Sequence, residues 1–352
     1  MGKSRILISG IGSGGTNCLL DTLSDKADYY FVGINSNKHR VACSPLKEAY
    51  LVPPAHNEVE YVEALNKIIV KHKINLFIPN SDIEVEITAK HRQDINCETF
   101  LPSYRCIRLS QDKMEMHDFC IKHNIPVANA VAFNSIEDIK KIDTKFPSYP
   151  LWCRIKSGAG SKFTSKIYSA KHAQEFIEHI MITNDVELEQ FIISELLPGN
   201  DYLIMTTWNK GELIQCKMAH RLSYFGKQGQ SAPYLIKSFF DEELLEFAIR
   251  TAKKFQKSPN GNFNFDIKLD SNNKITLTEI NPGRFYYNMS LFNSTSNFNS
   301  FRTFLETAFG TIDKSKLPLI GKEEKYFVRD QDLTPFVLTE QELNTFQSAS
   351  EI

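Results

Sequence analysis

Two acids, an amide and an arginine stand close together late in this chain. They are Asp266 in NFDIKLD, Glu279 and Asn281 in TLTEINPGR, and Arg284 just beyond. Glu279 and Asn281 are separated by one residue in an extended segment, so they point to the same side of a strand. The turn sequence DSNNK lies between the two segments, which makes them a hairpin and brings Asp266 alongside. Three hard oxygen donors on one sheet face suit Mg²⁺ held jointly with phosphates. A sheet that merely exposes a few acids would look similar. Against that, Ile267, Leu269, Leu277 and Ile280 make the other face apolar, and the Asn-Pro-Gly-Arg ending is unusual.

Three further segments have matching chemistry. In PLWCRIKSGAGSKF a strand delivers Arg154 and Lys156 into a loop with Gly158, Gly160 and Ser161. Fixed positive charge and closely approaching backbone N–H groups are what phosphate binding needs. A plain hairpin turn with two exposed basic residues fits this stretch equally well. In IISELLPGND a buried strand ends in Glu195, two leucines including Leu197, and a Pro-Gly turn before Asp201. A flat adenine ring can rest on the leucines, with Glu195 and Asp201 accepting from its amino group and the ribose. Taken locally, a strand followed by a polar turn is the simpler reading. Asp112–Lys113 opens a helix and alone would be an ordinary solvated helix end.

Gly10, Gly12 and Gly15 spell G-x-G-x-x-G between a strand and a helix. That is the dinucleotide fingerprint, but the fingerprint also wants an acid about twenty residues on. The second strand ends in Ile34, Asn35 and Ser36, with no acid, so these glycines are read as a tight strand-to-helix turn.

The elements that must position these groups fall into two classes. Strands at Arg5–Ser9, Tyr29–Asn35 and Leu76–Pro79 alternate with helices at about 15–24 and Glu58–His72, which predicts a parallel sheet closing near residue 110. Helices follow at Asp112–Asn124, with Ser110 near its start, and Phe133–Lys145. Then strands dominate: Trp152–Lys156, Ser165–Tyr168, Glu189–Glu195, Asp201–Trp208, Leu213–Ala219, and the hairpin Phe263–Leu269 with Ile275–Ile280. One more helix, Asp241–Gln256, sits between them. The expected organisation is an α/β unit at 1–110 and an α+β unit at 111–317. The latter divides into a small lobe of about 125–195 and a large lobe of about 196–317, and a polar extension covers 318–352.

Composition narrows the function classes. Lys plus Arg number 41 against 42 Asp plus Glu, for a formal net charge of -1. That argues against bulk binding of nucleic acid or of an anionic membrane. Seven scattered cysteines without a C-x-x-C pair point to reduced thiols rather than disulfides or zinc. The opening MGKSRILISG reads as a strand, and no apolar run reaches membrane-spanning length. A cytoplasmic protein is expected, and assembly as a homodimer is left open.

In this order and at these separations, the segments resemble the ATP-grasp superfamily. The similarity is greatest to its branch related to the carbamoyl-phosphate synthetase large subunit and the amino-acid ligases. It spans about residues 5–310. YLVPPAHNEVEYVEALNKI and LFIPNSDIEVE resemble that branch's Rossmann-like pre-ATP-grasp domain, and EINPGR follows an R-x-K-x-G-x-G-S loop. The resemblance implies that Lys113 and Arg154 contact ATP phosphates and that Lys156 with Gly158–Ser161 covers them. Glu195 to Leu197 would form the adenine hinge, and Asp201 would hold the ribose. Glu279 and Asn281 would ligate Mg²⁺, with Asp266 as a further ligand. Arg284 would hold the substrate carboxylate or the phosphoryl group in transfer, and Arg221, in AHRLSYFGKQGQS, would present a cation to an acyl phosphate. Three positions depart from the common pattern: Arg154-Ile155 replaces Lys-Pro, Asp201 replaces a glutamate, and Gly283 is inserted before Arg284.

The implied reaction is Mg-ATP-dependent ligation of a small-molecule carboxylate to an amine through an acyl phosphate. A kinase-like or carbamate-forming enzyme that makes no amide is the alternative. Substrate pockets would come from the loops around Arg221–Tyr234 and Phe285–Asn297.

Overall fold

The computed structural model describes residues 4–23, 28–157, 163–226, 231–330 and 336–343. Its first sheet holds β1 (Ser4–Ser9), β2 (Tyr29–Asn35), β3 (Ala49–Leu51), β4 (Leu76–Ile78) and β5 (Glu98–Thr99). The strands are parallel, in the order β3-β2-β1-β4-β5. Ile6, Leu7 and Ile8 are all fully buried, as a strand covered on both faces requires. Leu7 packs with Val32, Leu65 and Ile69 under the helix Glu58–His72. Ile6 and Ile8 face the other way, into a core shared with Phe285, Tyr286 and Met289.

Strand order reverses between β1 and β4, so the segments leaving them open side by side. After β1, Gly10 and Gly12 take φ of 71° and 77°. A Cβ on Gly12 would lie 1.8 Å from the Arg40 carbonyl oxygen. Asn35 donates its Nδ2 to the Ile11 carbonyl at 2.8 Å. The glycines serve the turn, which the chain's own residues close. After β4, Ser81 caps the helix Asp82–Lys90, and Ser9 and Ser81 both donate to the buried carboxylate of Glu84, at 2.7 and 2.6 Å.

The second sheet is antiparallel: β6 (Ala130–Ala132), β7 (Leu151–Ile155), β8 (Ser165–Ile167) and β9 (Phe191–Glu195), in the order β6-β9-β7-β8. The helix Ala170–Thr183 covers it. Leu151, Cys153, Ile167, Ala173, Ile177 and Ile193 form a core separate from the rest of the molecule.

The third sheet runs β14-β13-β10-β11-β12-β16-β17, with β15 paired to β11. Its members are β10 (Asp201–Asn209), β11 (Glu212–Tyr224), β12 (Pro233–Phe239), β13 (Gly261–Leu269), β14 (Ile275–Pro282), β15 (Leu319–Ile320), β16 (Tyr326–Val328) and β17 (Phe336–Leu338). Residues alternate across it. Leu203 and Met205 enter the core shared with the first sheet. Ile204 and Trp208 pack under the helix Glu242–Phe255 with Leu244, Phe247 and Ala248.

Several boundaries differ from the sequence expectation. The helix expected over Phe133–Lys145 begins only at Ile136. Ser135 and Asp138 form a reciprocal cap there, and the helix gives way to a 3₁₀ turn at Ile142–Thr144. Ser110 belongs to a preceding helix, Tyr104–Gln111, and Asp112 caps Lys113–Lys122 by accepting from the Met114 and Glu115 N–H groups. A 3₁₀ turn, Leu188–Gln190, replaces the start of the strand expected from Glu189. β15 to β17 rise from a tail whose polar composition carries no strand signal.

A lobe with its own core can open without the rest. Replacing fully buried Ile177 with Ala should cost about 2–5 kcal/mol, mostly within that lobe. Amide exchange should accelerate across β6 to β9 and stay unchanged in β1 and β10. Acceleration everywhere would show instead a single cooperative unit.

Candidate functional site

Asp266 on β13 and Glu279 on β14 are direct cross-strand partners. Like charges in that position repel, so the pair stands only where cations balance it. Arg221 does this from β11. Its guanidinium reaches across β10, donating through Nη1 to Asp201 at 2.6 Å and through Nη2 to Asp266. On the other flank, Arg154 of β7 donates Nη1 to Glu279 at 2.9 Å, and the Lys113 Nζ lies 3.6 Å from the same oxygen. Asn281 ties Asp266 to Arg284. Its Nδ2 donates to Asp266 at 2.9 Å and its Oδ1 accepts from Arg284 at 2.7 Å.

These contacts set the protonation behaviour. Burial pushes the Asp266 carboxyl up and the Glu279 charge adds to this. Arg221 opposes both, and the net shift is upward. Desolvation also pushes Glu279 up, but Lys113, Arg154, Arg284 and Arg221 outweigh it and hold the group below its ordinary value. Burial works against the charge on Arg221, yet Asp266 and Asp201 raise its pKa well above the usual. Arg154 is lowered by burial, with Glu279 and Asp266 opposing.

Eight of the residues singled out from the sequence are thus held in two bonded clusters, Lys113–Glu279–Arg154 and Asp201–Arg221–Asp266–Asn281–Arg284, set side by side by the Asp266–Glu279 strand pairing. Lys156 is tied in through its backbone. Its carbonyl accepts from the Lys113 N–H at 3.1 Å and the Lys113 Nζ at 3.4 Å. Leu197 is buried, and its carbonyl accepts from Lys268, the register partner of Asp201, at 3.4 Å. Glu195 stands apart at the end of β9, where its carboxylate accepts the Asn129 N–H at 3.2 Å. Gly158, Gly160 and Ser161 lie outside the described residues.

Three site residues escaped sequence reasoning. Tyr224 donates to the second oxygen of Asp201 at 2.5 Å. Asp82, first residue of its helix, lies 2.6 Å from the Arg284 Nε. The inserted Gly283 explains that contact. It takes φ of 89°, and a Cβ there would sit 2.7 Å from Val85 on the Asp82 helix. Only glycine lets the loop lie this close, and Asn80 fastens it by accepting the Phe285 N–H at 3.0 Å. The third residue is Arg329, just past β16, whose guanidinium lies 4.5 Å from the centre of the Tyr287 ring. Burial raises the Tyr287 phenol, and the Arg221 and Arg329 charges pull against it.

Among the described residues no three His, Cys, Asp or Glu side chains gather into a metal cluster. The donor set is two carboxylates and an amide. That is too few for an all-protein cage but suits a hard cation that keeps waters or phosphate oxygens among its ligands.

No protein-family model and no curated protein matches the sequence. Solved structures do match the fold. An L-amino acid ligase from Bacillus licheniformis aligns with TM-score 0.73 at 10% identity, over 93% of this chain and 80% of its own. The biotin carboxylase domain of the Hydrogenobacter thermophilus 2-oxoglutarate carboxylase, bound to MgADP and bicarbonate, aligns with TM-score 0.73 at 12% identity, over 94% and 75%. N5-carboxyaminoimidazole synthetase from Staphylococcus aureus, bound to ADP, gives 0.70 at 16%, over 93% and 83%. The chain has the ATP-grasp fold, with a Rossmann-like parallel sheet at its N-terminal end.

Replacing Arg221 with Met strands two acids in the floor of the site. Breaking one partner out of a buried pair costs about 3–5 kcal/mol. Asp266, already raised, would then have little to oppose burial, so its folded pKa climbs further above the unfolded value. The loss should be full above that raised pKa and shrink as pH falls through it. Urea midpoints of wild type and variant should therefore converge as the pH is lowered from neutrality. A gap that stays constant or widens on acidification would contradict the pairing.

Proposed function

We propose that the protein is an ATP-dependent ligase that activates a small carboxylic acid and couples it to an amine. The observation that carries this reading is the Asp266–Glu279 pair, faced by Arg154 and Lys113 on one side and by Arg221 and Arg284 on the other. Oxygen donors meet cations there, at the junction of the second and third sheets. A carboxylate is a poor electrophile because oxide is a poor leaving group. Transfer of the γ-phosphoryl group from ATP gives an acyl phosphate and ADP. Attack by the amine then forms the amide bond and releases inorganic phosphate.

Each residue has a part in that chemistry. Arg154 and Lys113 exchange Glu279 for phosphate oxygens when nucleotide enters. Lys156 and the loop Gly158–Ser161 would cover the phosphates. Glu195 to Leu197 would receive the adenine, and Asp201 would accept from a ribose hydroxyl in place of Tyr224. Glu279, Asn281 and Asp266 would hold Mg²⁺, which neutralises phosphate charge when bound. Arg221 and Arg284 stabilise the charge that develops on the transferred group and hold the acid in line. No side-chain nucleophile is needed. The buried cysteines fit that: burial holds the Cys153 thiol far above its ordinary value and pushes Cys216 up to about 12, far from thiolate formation near neutrality.

A second reading has support in the names of two neighbours. The carboxylase domain holds bicarbonate, and the other is a carboxyaminoimidazole synthetase. Bicarbonate would then replace the organic acid and carboxy-phosphate the acyl phosphate, leading to a carbamate. ADP release measured over organic acids and bicarbonate, with and without amines, separates the readings by product: an amide, a carbamate, or a stable phosphorylated acid.

Glu279→Gln keeps shape and removes one charge. Turnover should fall on the order of a hundredfold or more, as for other lost electrostatic contacts at a transition state. The side chain is 34% exposed, so melting should move by no more than a few degrees. Near-normal turnover in this variant would overturn the metal assignment.

A further inference from the structure

A ladder of rings and guanidinium groups leads from the acidic centre to the surface. Arg221 neighbours Tyr287, Arg329 lies over Tyr287 at 4.5 Å, and the same guanidinium lies 5.6 Å from the centre of the Phe225 ring. Phe225 in turn meets Tyr234 at 5.6 Å, tilted by 45°. The far end is open: Phe225 is 42% and Tyr234 36% exposed. Among the described residues, neither ring belongs to a hydrophobic core.

The arrangement is built rather than incidental. The Arg329 Nε donates to the Pro233 carbonyl at 3.0 Å, and its backbone N–H donates to the Tyr234 carbonyl at 3.1 Å. The Phe225 N–H donates to the Ala232 carbonyl at 3.1 Å. β12 and β16 hold these segments in register, with Leu235 opposite Val328. Among the described residues no carboxylate pairs with the terminal Nη atoms of Arg329. A part-buried cation between two rings, with exposed ring surface beyond it, complements a ligand that is anionic at one end and flat and apolar at the other.

We propose that the acid accepted by this site has an aromatic or similarly flat apolar body, and that Phe225 and Tyr234 set this specificity. The inference rests on the ligase reading for the location of the acid but makes a separate demand on its shape. A small aliphatic acid would leave the two rings in water. An aromatic acid covers them, and offset or edge-to-face contact with two rings is worth roughly a tenfold gain in affinity.

The test compares matched probes: 3-phenylpropionate against propionate, and L-phenylalanine against L-alanine. Equilibrium binding is measured without nucleotide by titration calorimetry, alongside acid-dependent ADP release with Mg-ATP. At least one aromatic probe should bind about tenfold more tightly than its aliphatic counterpart. Phe225→Ala and Tyr234→Ala should bring that ratio near one by weakening the aromatic probe alone. Phe225→Leu, which keeps apolar area without a π face, should fall between. Equal affinities, no binding of either aromatic probe at millimolar concentration, or a preference that survives both alanine substitutions would overturn the proposal. ADP release that responds to acids without favouring aromatic ones would sink the role given to Phe225 and Tyr234 and leave the ligase reading standing. Aromatic binding through these rings with no ADP release would do the reverse.

Discussion

The repulsion between Asp266 and Glu279 is the constraint around which the structure is arranged. Two carboxylates in direct register on adjacent strands cannot both stay ionised unless positive charge comes from elsewhere. It comes from four places distant in the chain: Lys113 at a helix start, Arg154 on the second sheet, Arg221 on β11 and Arg284 after β14. The acids therefore fix how the sheets meet. Arg154 and Lys113 hold the second sheet against the third through Glu279, and Arg284 joins the third sheet to the first through Asp82. A polyphosphate entering this site would exchange one anionic partner for another and leave each cation paired.

Mobility and rigidity divide along the same lines. The second sheet has its own core, and among the described residues Arg154 carries its ion pair to β14. The first and third sheets share a continuous core through Phe285, Tyr286, Phe301 and Phe304. Gly283 fits against Val85 with no room for a Cβ, and Asn80 takes the next N–H. A rigid pair of units with one separately packed lobe is suited to closing over a ligand, which excludes water during phosphoryl transfer.

Much of the site was legible because its signals are local. Glu279 and Asn281 share a face through the period of a strand, and DSNNK declares the hairpin that brings Asp266 beside them. Arg221 has no such local signature; only the family resemblance marked it. Asp82 and Arg329 were silent for a physical reason. Asp82 looks like any acid in the first turn of a helix, and Arg329 follows a three-residue strand in a polar tail. Their meaning comes from Gly283 and Tyr287, which lie far away in sequence. The overlong helix at Phe133–Lys145 has a similar cause. Phe133, Ile136, Ile139 and Ile142 recur every three residues, a spacing that a short helix followed by a 3₁₀ turn satisfies as well as one continuous helix.

Direct binding of nucleotide to the wild-type protein tests the central claim most simply. Calorimetric titration with a non-hydrolysable ATP analogue should give one site per chain in the presence of Mg²⁺. Affinity should drop at least tenfold when Mg²⁺ is chelated, because the Asp266–Glu279 pair then faces the phosphates without an intervening cation. NAD should give no heat beyond dilution. Binding that is indifferent to Mg²⁺, or NAD binding in place of ATP, would contradict the account. It would move the ligand site from the acid pair to the glycine turn after β1.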